Sequence, residues 1–148
     1  MSNFECRMGS QFEIRNSQFE ICMSVQLKAR TKEFALDVVC LCAELPTVPE
    51  IGHVRGQLQR TATSVAANYR AACRGKSKAD FIAKLGTVEE EADESAFWLE
   101  FIEDLRTRRN LQFDDRTLSE LNRLKDEAGQ LVAITVASRK TARGTSID

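Results

Sequence analysis

Glu89-Glu90-Glu91, followed by Asp93 and Glu94, is the densest acidic group in the chain. On a helix, Glu90 and Glu94 lie four residues apart and share a face. Two carboxylates so placed can act as an acid–base pair or hold a divalent metal. The rest of the sequence offers little to complete such a site. His53 is the only histidine, and no second acidic motif stands on the preceding segment. A zinc or di-iron centre would have to be built almost wholly from carboxylates and thiols. The five cysteines (Cys6, Cys22, Cys40, Cys42, Cys73) are odd in number and include no CxxC pair. They are expected to be buried, reduced thiols of a cytoplasmic protein. The acidic run then reads as a solvated or arginine-paired face, and no catalytic residue, metal or cofactor is expected.

A second group is basic. Residues 51–79 carry Arg55, Arg60, Arg70, Arg74, Lys76 and Lys78 and no acid, a formal +6. Residues 80–104 carry nine Asp and Glu against Lys84, a formal −8, although the whole chain has a net charge of −1. One explanation is mutual pairing, within the chain or across a subunit boundary. Exposed pairs are each worth only about 0–1 kcal/mol, but they orient and select partners. The other is a basic face for RNA or DNA, supported by Arg106, Arg108 and Arg109. A sequence pI near 5.9 opposes it.

These residues must be positioned by helices. Proline occurs twice and glycine seven times in 148 residues, and β-strand alternation is hardly seen. Four amphipathic segments are expected from residue 31 onward. The first, residues 31–45, places Phe34, Val38, Leu41 and Leu45 on one stripe, widened by Leu36, Val39 and Cys42. Pro46 ends it, and Thr47-Val48-Pro49-Glu50 has the form of a capping box. The second, residues 48–74, aligns Ile51, Val54, Leu58, Thr61, Val65, Asn68 and Ala72 in steps of three and four. Asn68 in that seam reads as a bonded core amide that fixes helix register. Gly75 ends the segment, and Ser77-Lys78-Ala79-Asp80 caps the third, which runs to about residue 108.

The third segment aligns Phe81, Leu85, Val88, Ala92, Ser95, Leu99 and Ile102, with Phe97, Trp98 and Phe101 alongside as core or subunit contacts. Gly86 within it is expected to permit close helix approach. Asp114 or Asp115 caps the fourth, residues 115–139, whose seam is Leu121, Leu124, Ala128 and Leu131. Connections this short join antiparallel neighbours, so an all-α, up-down-up-down four-helix bundle is expected.

The organisation expected is a bundle domain over 28–139, a flexible tail over 140–148 and a repetitive extension over 1–27. That opening holds three copies of a short unit, Phe4-Glu5-Cys6-Arg7, Phe12-Glu13-Ile14-Arg15 and Phe19-Glu20-Ile21-Cys22. Gly9, Asn16 and the serines at 10, 17 and 24 weigh against a stable helix there, and the extension is expected to be poorly ordered. It has no apolar signal-like core, and the chain has no run long enough to span a membrane.

The stretch Arg60-Thr61-Ala62-Thr63-Ser64-Val65-Ala66-Ala67-Asn68, followed by a third segment bearing Gly86, Glu91 and Ser95, resembles the 23S rRNA-intervening sequence proteins. The likeness covers residues 28–138. Where many members have Asn-Ile-Ala-Glu-Gly, this chain has Asn68-Tyr69-Arg70-Ala71-Ala72, which marks a variant branch. The resemblance implies a cytoplasmic four-helix bundle without an established enzymatic role. Similar proteins form ring-shaped homopentamers. A strongly basic relative, an accessory protein of diversity-generating retroelements, binds a reverse transcriptase and nucleic acid. On this reading Arg60, Asn68 and Glu91 form a polar network between the second and third helices. Arg70, Arg74, Lys76 and Lys78 are left for a subunit or nucleic-acid surface. The expected role is a self-associating binding or scaffold module, pentameric by resemblance, with an RNA- or DNA-binding accessory role as the alternative. No small-molecule substrate and no membrane partner are expected.

Overall fold

Proline, serine and aspartate punctuate the chain where its apolar stripes stop and restart. The computed structural model describes the backbone of residues 5–144, and side chains from residue 24 onward. Four helices result: α1 (Glu5–Glu44), α2 (Pro49–Ala72), α3 (Lys78–Arg109) and α4 (Asp115–Arg143). No strand occurs among the described residues.

Two of the expected caps form. Ser77 Oγ accepts from the Asp80 N–H at 3.1 Å, and the Asp80 carboxylate accepts in return from the Lys76 N–H at 3.1 Å. Asp114 Oδ1 accepts from the Thr117 N–H at 2.7 Å. Both answer helix N–H groups that have no intrahelical partner. The Thr47–Glu50 box does not form. Val48 is the N-cap of α2, with no side-chain bond, and Pro49 takes the first helical position, which leaves Thr47 outside the turn. At the far ends, Asn110 (φ 50°) and Gly144 (φ 76°) close α3 and α4 in the left-handed region. Gly75 serves differently. A side chain there would begin 3.1 Å from the Ala72 carbonyl and 3.2 Å from the Phe81 nitrogen, so the α2–α3 turn needs glycine for space.

Contacts between helices fix their directions. His53 lies by Trp98 and Arg60 by Glu94, so α2 and α3 run oppositely. Arg30 meets Glu127 and Asp37 meets Arg123, which makes α1 and α4 antiparallel. Glu89 pairs with Arg139 and Glu103 with Lys125, giving the same relation for α3 and α4. Arg55 reaches the Leu45 carbonyl while Cys73 meets Ser24, and α1 and α2 are antiparallel too. Among the described residues the backbones of α1 and α3, and of α2 and α4, do not approach closely; only their core side chains face each other across the centre. The bundle is therefore a square, up-down-up-down, with each helix touching two neighbours.

The core follows the seams closely. Phe34, Val38 and Leu41 of α1 meet Ile51, Leu58 and Val65 of α2, Leu85, Val88, Leu99 and Ile102 of α3, and Leu121, Leu124 and Leu131 of α4. Several positions differ from the sequence reading. Leu36 and Val39 are exposed rather than widening the core stripe. Cys42 is buried but Cys40 is exposed, because a step of two turns a helical side chain away from its neighbour. Tyr69, not Asn68, takes the buried position near the end of α2, and Asn68 is half-buried.

The first helix does not begin at residue 31. It is one helix over the bounds given, and from residue 24 it already engages the bundle. Ser24 Oγ lies 3.2 Å from Cys73 Sγ, and Leu27 packs on the core. The extension expected over residues 1–27 falls mainly on side chains outside the described residues. Likewise α4 continues past residue 139 to Arg143, while residues 145–148 of the expected tail lie outside them.

Candidate functional site

The α2–α3 seam carries a buried hydroxyl pair. Ser95 Oγ donates toward Thr61 Oγ1 at 2.9 Å and toward the Glu91 carbonyl at 2.8 Å, sharing one hydrogen between two acceptors. Thr61 in turn donates to the Leu58 carbonyl at 3.1 Å. Both side chains are wholly shielded from solvent. This pair supplies the polar link that the sequence reading assigned to Asn68. The Asn68 amide donates twice to Ser64 of its own helix, to the carbonyl and to Oγ, both at 2.9 Å.

Outside that pair, Arg60 bridges to α3. It lies 2.7 Å from Glu94 and, more loosely, 3.4 Å from Glu91. The indole Nε1 of Trp98 donates to the same Glu94 oxygen at 3.1 Å. These bonds, Trp98's first and Arg60's second, hold the Glu94 carboxyl below its ordinary range. A carboxylate so stabilised is a weaker proton acceptor than a free one. Glu89 is engaged by Arg139 of α4. Among the described residues no group of three His, Cys, Asp or Glu side chains is placed to hold a metal ion. Burial pushes the Cys42 thiol up to about 11, which disfavours its thiolate form.

The charge segregation resolves unevenly. Of the six cations on residues 51–79, only Arg60 pairs with the acids of α3. Arg55 instead donates to the Leu45 and Pro46 carbonyls at 2.9 and 3.1 Å, a cation at the negative end of α1. Arg70, Arg74, Lys76 and Lys78 are all exposed and form no ion pair among the described residues. Arg70 and Arg74 border a groove between α1 and α2, whereas Lys76 and Lys78 flank the α2–α3 turn.

That groove, about 730 Å³, has an apolar floor of Val25, Leu36, Val39, Ala66 and Ala67. Its remaining cations are Lys28 and Lys32 of α1. The sequence reading missed these two, though Val25, Lys28, Lys32, Leu36 and Val39 follow steps of three and four that mark one helix face. Val25, Leu36 and Val39 are 57%, 48% and 39% exposed.

A second apolar surface stands on α3. Phe97 and Phe101 are 51% and 40% exposed, and Trp98 beside them packs inward on the core. The rings form one cluster, with Trp98 4.9 Å from Phe97, 5.8 Å from Phe101 and 6.2 Å from His53. The arginines at the end of α3 are partly occupied. Arg106 lies 6.0 Å from the Phe113 ring centre, and Arg109 meets Glu50 at 2.8 Å.

A family model of the 23S rRNA-intervening sequence protein matches residues 23–128 of the chain. The chain belongs to the 23S rRNA-intervening sequence protein family. The family match takes in α1 from residue 23 onward, all of α2 and α3, and about half of α4. A crystal structure from Bacteroides thetaiotaomicron, a protein of unknown function from the S23 ribosomal protein family, is similar in fold, with a TM-score of 0.63. It is 27% identical, and the alignment covers 76% of this chain and 97% of that one. No curated protein matches the sequence. This member of the 23S rRNA-intervening sequence protein family has no described helix long and apolar enough to cross a membrane.

Proposed function

We propose that this bundle is a non-enzymatic, self-associating module of the cytoplasm, a ring of five copies being the favoured assembly, that works as a binding or scaffold component. The observation that carries this reading is the exposure of five large apolar side chains, Val25, Leu36, Val39, Phe97 and Phe101, on two separate helices. A lone exposed leucine needs no explanation, but grouped apolar side chains rimmed by charge mark interaction surfaces. Light scattering at tens of micromolar protein tests it. A mass several times that of the chain is expected, and a monomer would overturn the proposal.

A second reading, an RNA- or DNA-binding accessory role, draws on Arg70, Arg74, Lys76 and Lys78, which are exposed and without ion pairs among the described residues. The S23 ribosomal protein family named for the structural neighbour is compatible with it. A mobility-shift titration against RNA and DNA at about 50 mM salt decides this reading, because phosphate contacts bind most strongly there. Absence of a shift at micromolar protein would dismiss it.

A further inference from the structure

The two apolar surfaces are complementary in charge as well as in character. On α3, Glu90, Asp93, Phe97, Glu100, Phe101 and Asp104 recur in steps of three and four and are all exposed. None of the four acids among them forms an ion pair among the described residues, although Glu89, Glu91, Glu94 and Glu103 of the same helix all do. The α1–α2 groove presents the converse. Lys28, Lys32, Arg70 and Arg74 surround an apolar floor and are equally without ion pairs among the described residues. Within one chain these surfaces do not satisfy each other, since no ion pair among the described residues joins an acid of the ridge to a cation of the groove.

We infer that copies of this chain join head-to-tail, the acidic Phe97–Phe101 ridge of one copy seated in the cationic α1–α2 groove of the next. The inference rests on the self-association reading above and names the surfaces that would carry it. Four unpaired acids beside two phenylalanines meet four unpaired cations beside Val25, Leu36 and Val39. Like-signed alternatives, ridge on ridge or groove on groove, bring four equal charges together from each side and are disfavoured. Because the contact uses two different surfaces, each copy that donates its ridge still offers an open groove. Such a contact propagates until a ring closes or a filament forms.

The test uses the full chain and two kinds of variant, with mass read by sedimentation or light scattering. Arg70→Glu with Arg74→Glu disables the groove, and Lys28→Glu with Lys32→Glu is a second groove variant should the first lose its helical circular dichroism. Phe97→Ala with Phe101→Ala disables the ridge. All six side chains are exposed, so the folded circular dichroism signal is expected to persist. Each variant alone is expected to be monomeric, or to associate about tenfold or more weakly than the parent. Mixed together, a groove variant and the ridge variant are expected to form a 1:1 dimer and nothing larger. One intact groove then meets one intact ridge. An assembly whose mass survives either kind of variant would overturn this docking while leaving self-association standing. So would a mixture that stays monomeric. A monomeric parent chain would remove both readings together.

Discussion

The guanidinium of Arg139 on α4 lies across Gly86 on α3, 3.5 Å from where a side chain at residue 86 would begin, and pairs with Glu89 one turn further on. Gly86 thus provides a seat for an arginine rather than a point of backbone contact. A methyl group would meet Arg139 at ordinary contact distance, while a longer side chain would displace it. Gly86→Ala is expected to stabilise the bundle by about 0.5–1 kcal/mol, the helix-propensity gain. Gly86→Leu is expected to lower stability instead by displacing the arginine from Glu89. Urea unfolding of the two variants beside the parent checks the opposite signs.

The Thr61–Ser95 pair predicts non-additivity. Ser95→Ala removes a fully buried hydroxyl from Thr61 and is expected to cost about 1 kcal/mol. Thr61→Val keeps the shape and leaves Ser95 its bond to the Glu91 carbonyl. The double variant is expected to cost less than the two singles added, by about 0.5 kcal/mol or more, as for side chains in contact. A denaturation cycle on the four proteins measures the coupling, and strict additivity would show the hydroxyls to be independent.

Acid sensitivity should trace partly to Glu94. Its carboxyl is held below the ordinary value of 4.5, first by Trp98 and then by Arg60. For a depressed carboxylate, the stabilisation is complete above the unfolded value and is lost as pH falls through the folded one. Thermal midpoints are therefore expected to be insensitive to this group above about pH 5 and to decline below 4.5. Glu94→Gln should lower the midpoint at neutral pH and show a shallower decline in acid. Identical acid slopes in parent and variant would assign the transition to other carboxylates such as Glu120, also lowered by its bonds to Arg123.

Thiol labelling should discriminate Cys40 from Cys42. The first is exposed, and the second is buried, with its pKa raised to about 11. In the folded protein an aromatic disulfide reagent is expected to modify Cys40 and to spare Cys42 until denaturant is added. Peptide mapping after labelling identifies each site.

The Ser77 cap offers a local test of the α2–α3 turn. Ser77→Ala removes the acceptor for the Asp80 N–H and is expected to cost about 1 kcal/mol, while Ser77→Gly costs only a few tenths. Calorimetric midpoints of the two variants check the order.

Much of this architecture is local in origin. Steps of three and four placed Leu58, Val65, Leu85, Leu99, Leu121 and Leu131 in the core, and Ser77 and Asp114 marked two helix starts. Both signals act over one or two turns, which a linear sequence displays directly. Whether Asn68 or Tyr69 entered the core was not legible, because adjacent residues lie about 100° apart on a helix and its rotation is set by packing. The same limit hid the exposure of Leu36 and Val39, which helical periodicity alone placed on a broad core stripe.

The sequence by itself therefore determined four amphipathic helices, their order, most of their core and the segregation of charge between α2 and α3. Only the tertiary structure decided which charges cancel. Arg60 found Glu94 across the seam, Arg55 found the end of α1, and Arg70 and Arg74 were brought beside Lys28 and Lys32 from a helix some forty residues away. Pairing across helices depends on distances of a few ångströms between side chains remote in sequence, and it is packing that fixes those distances.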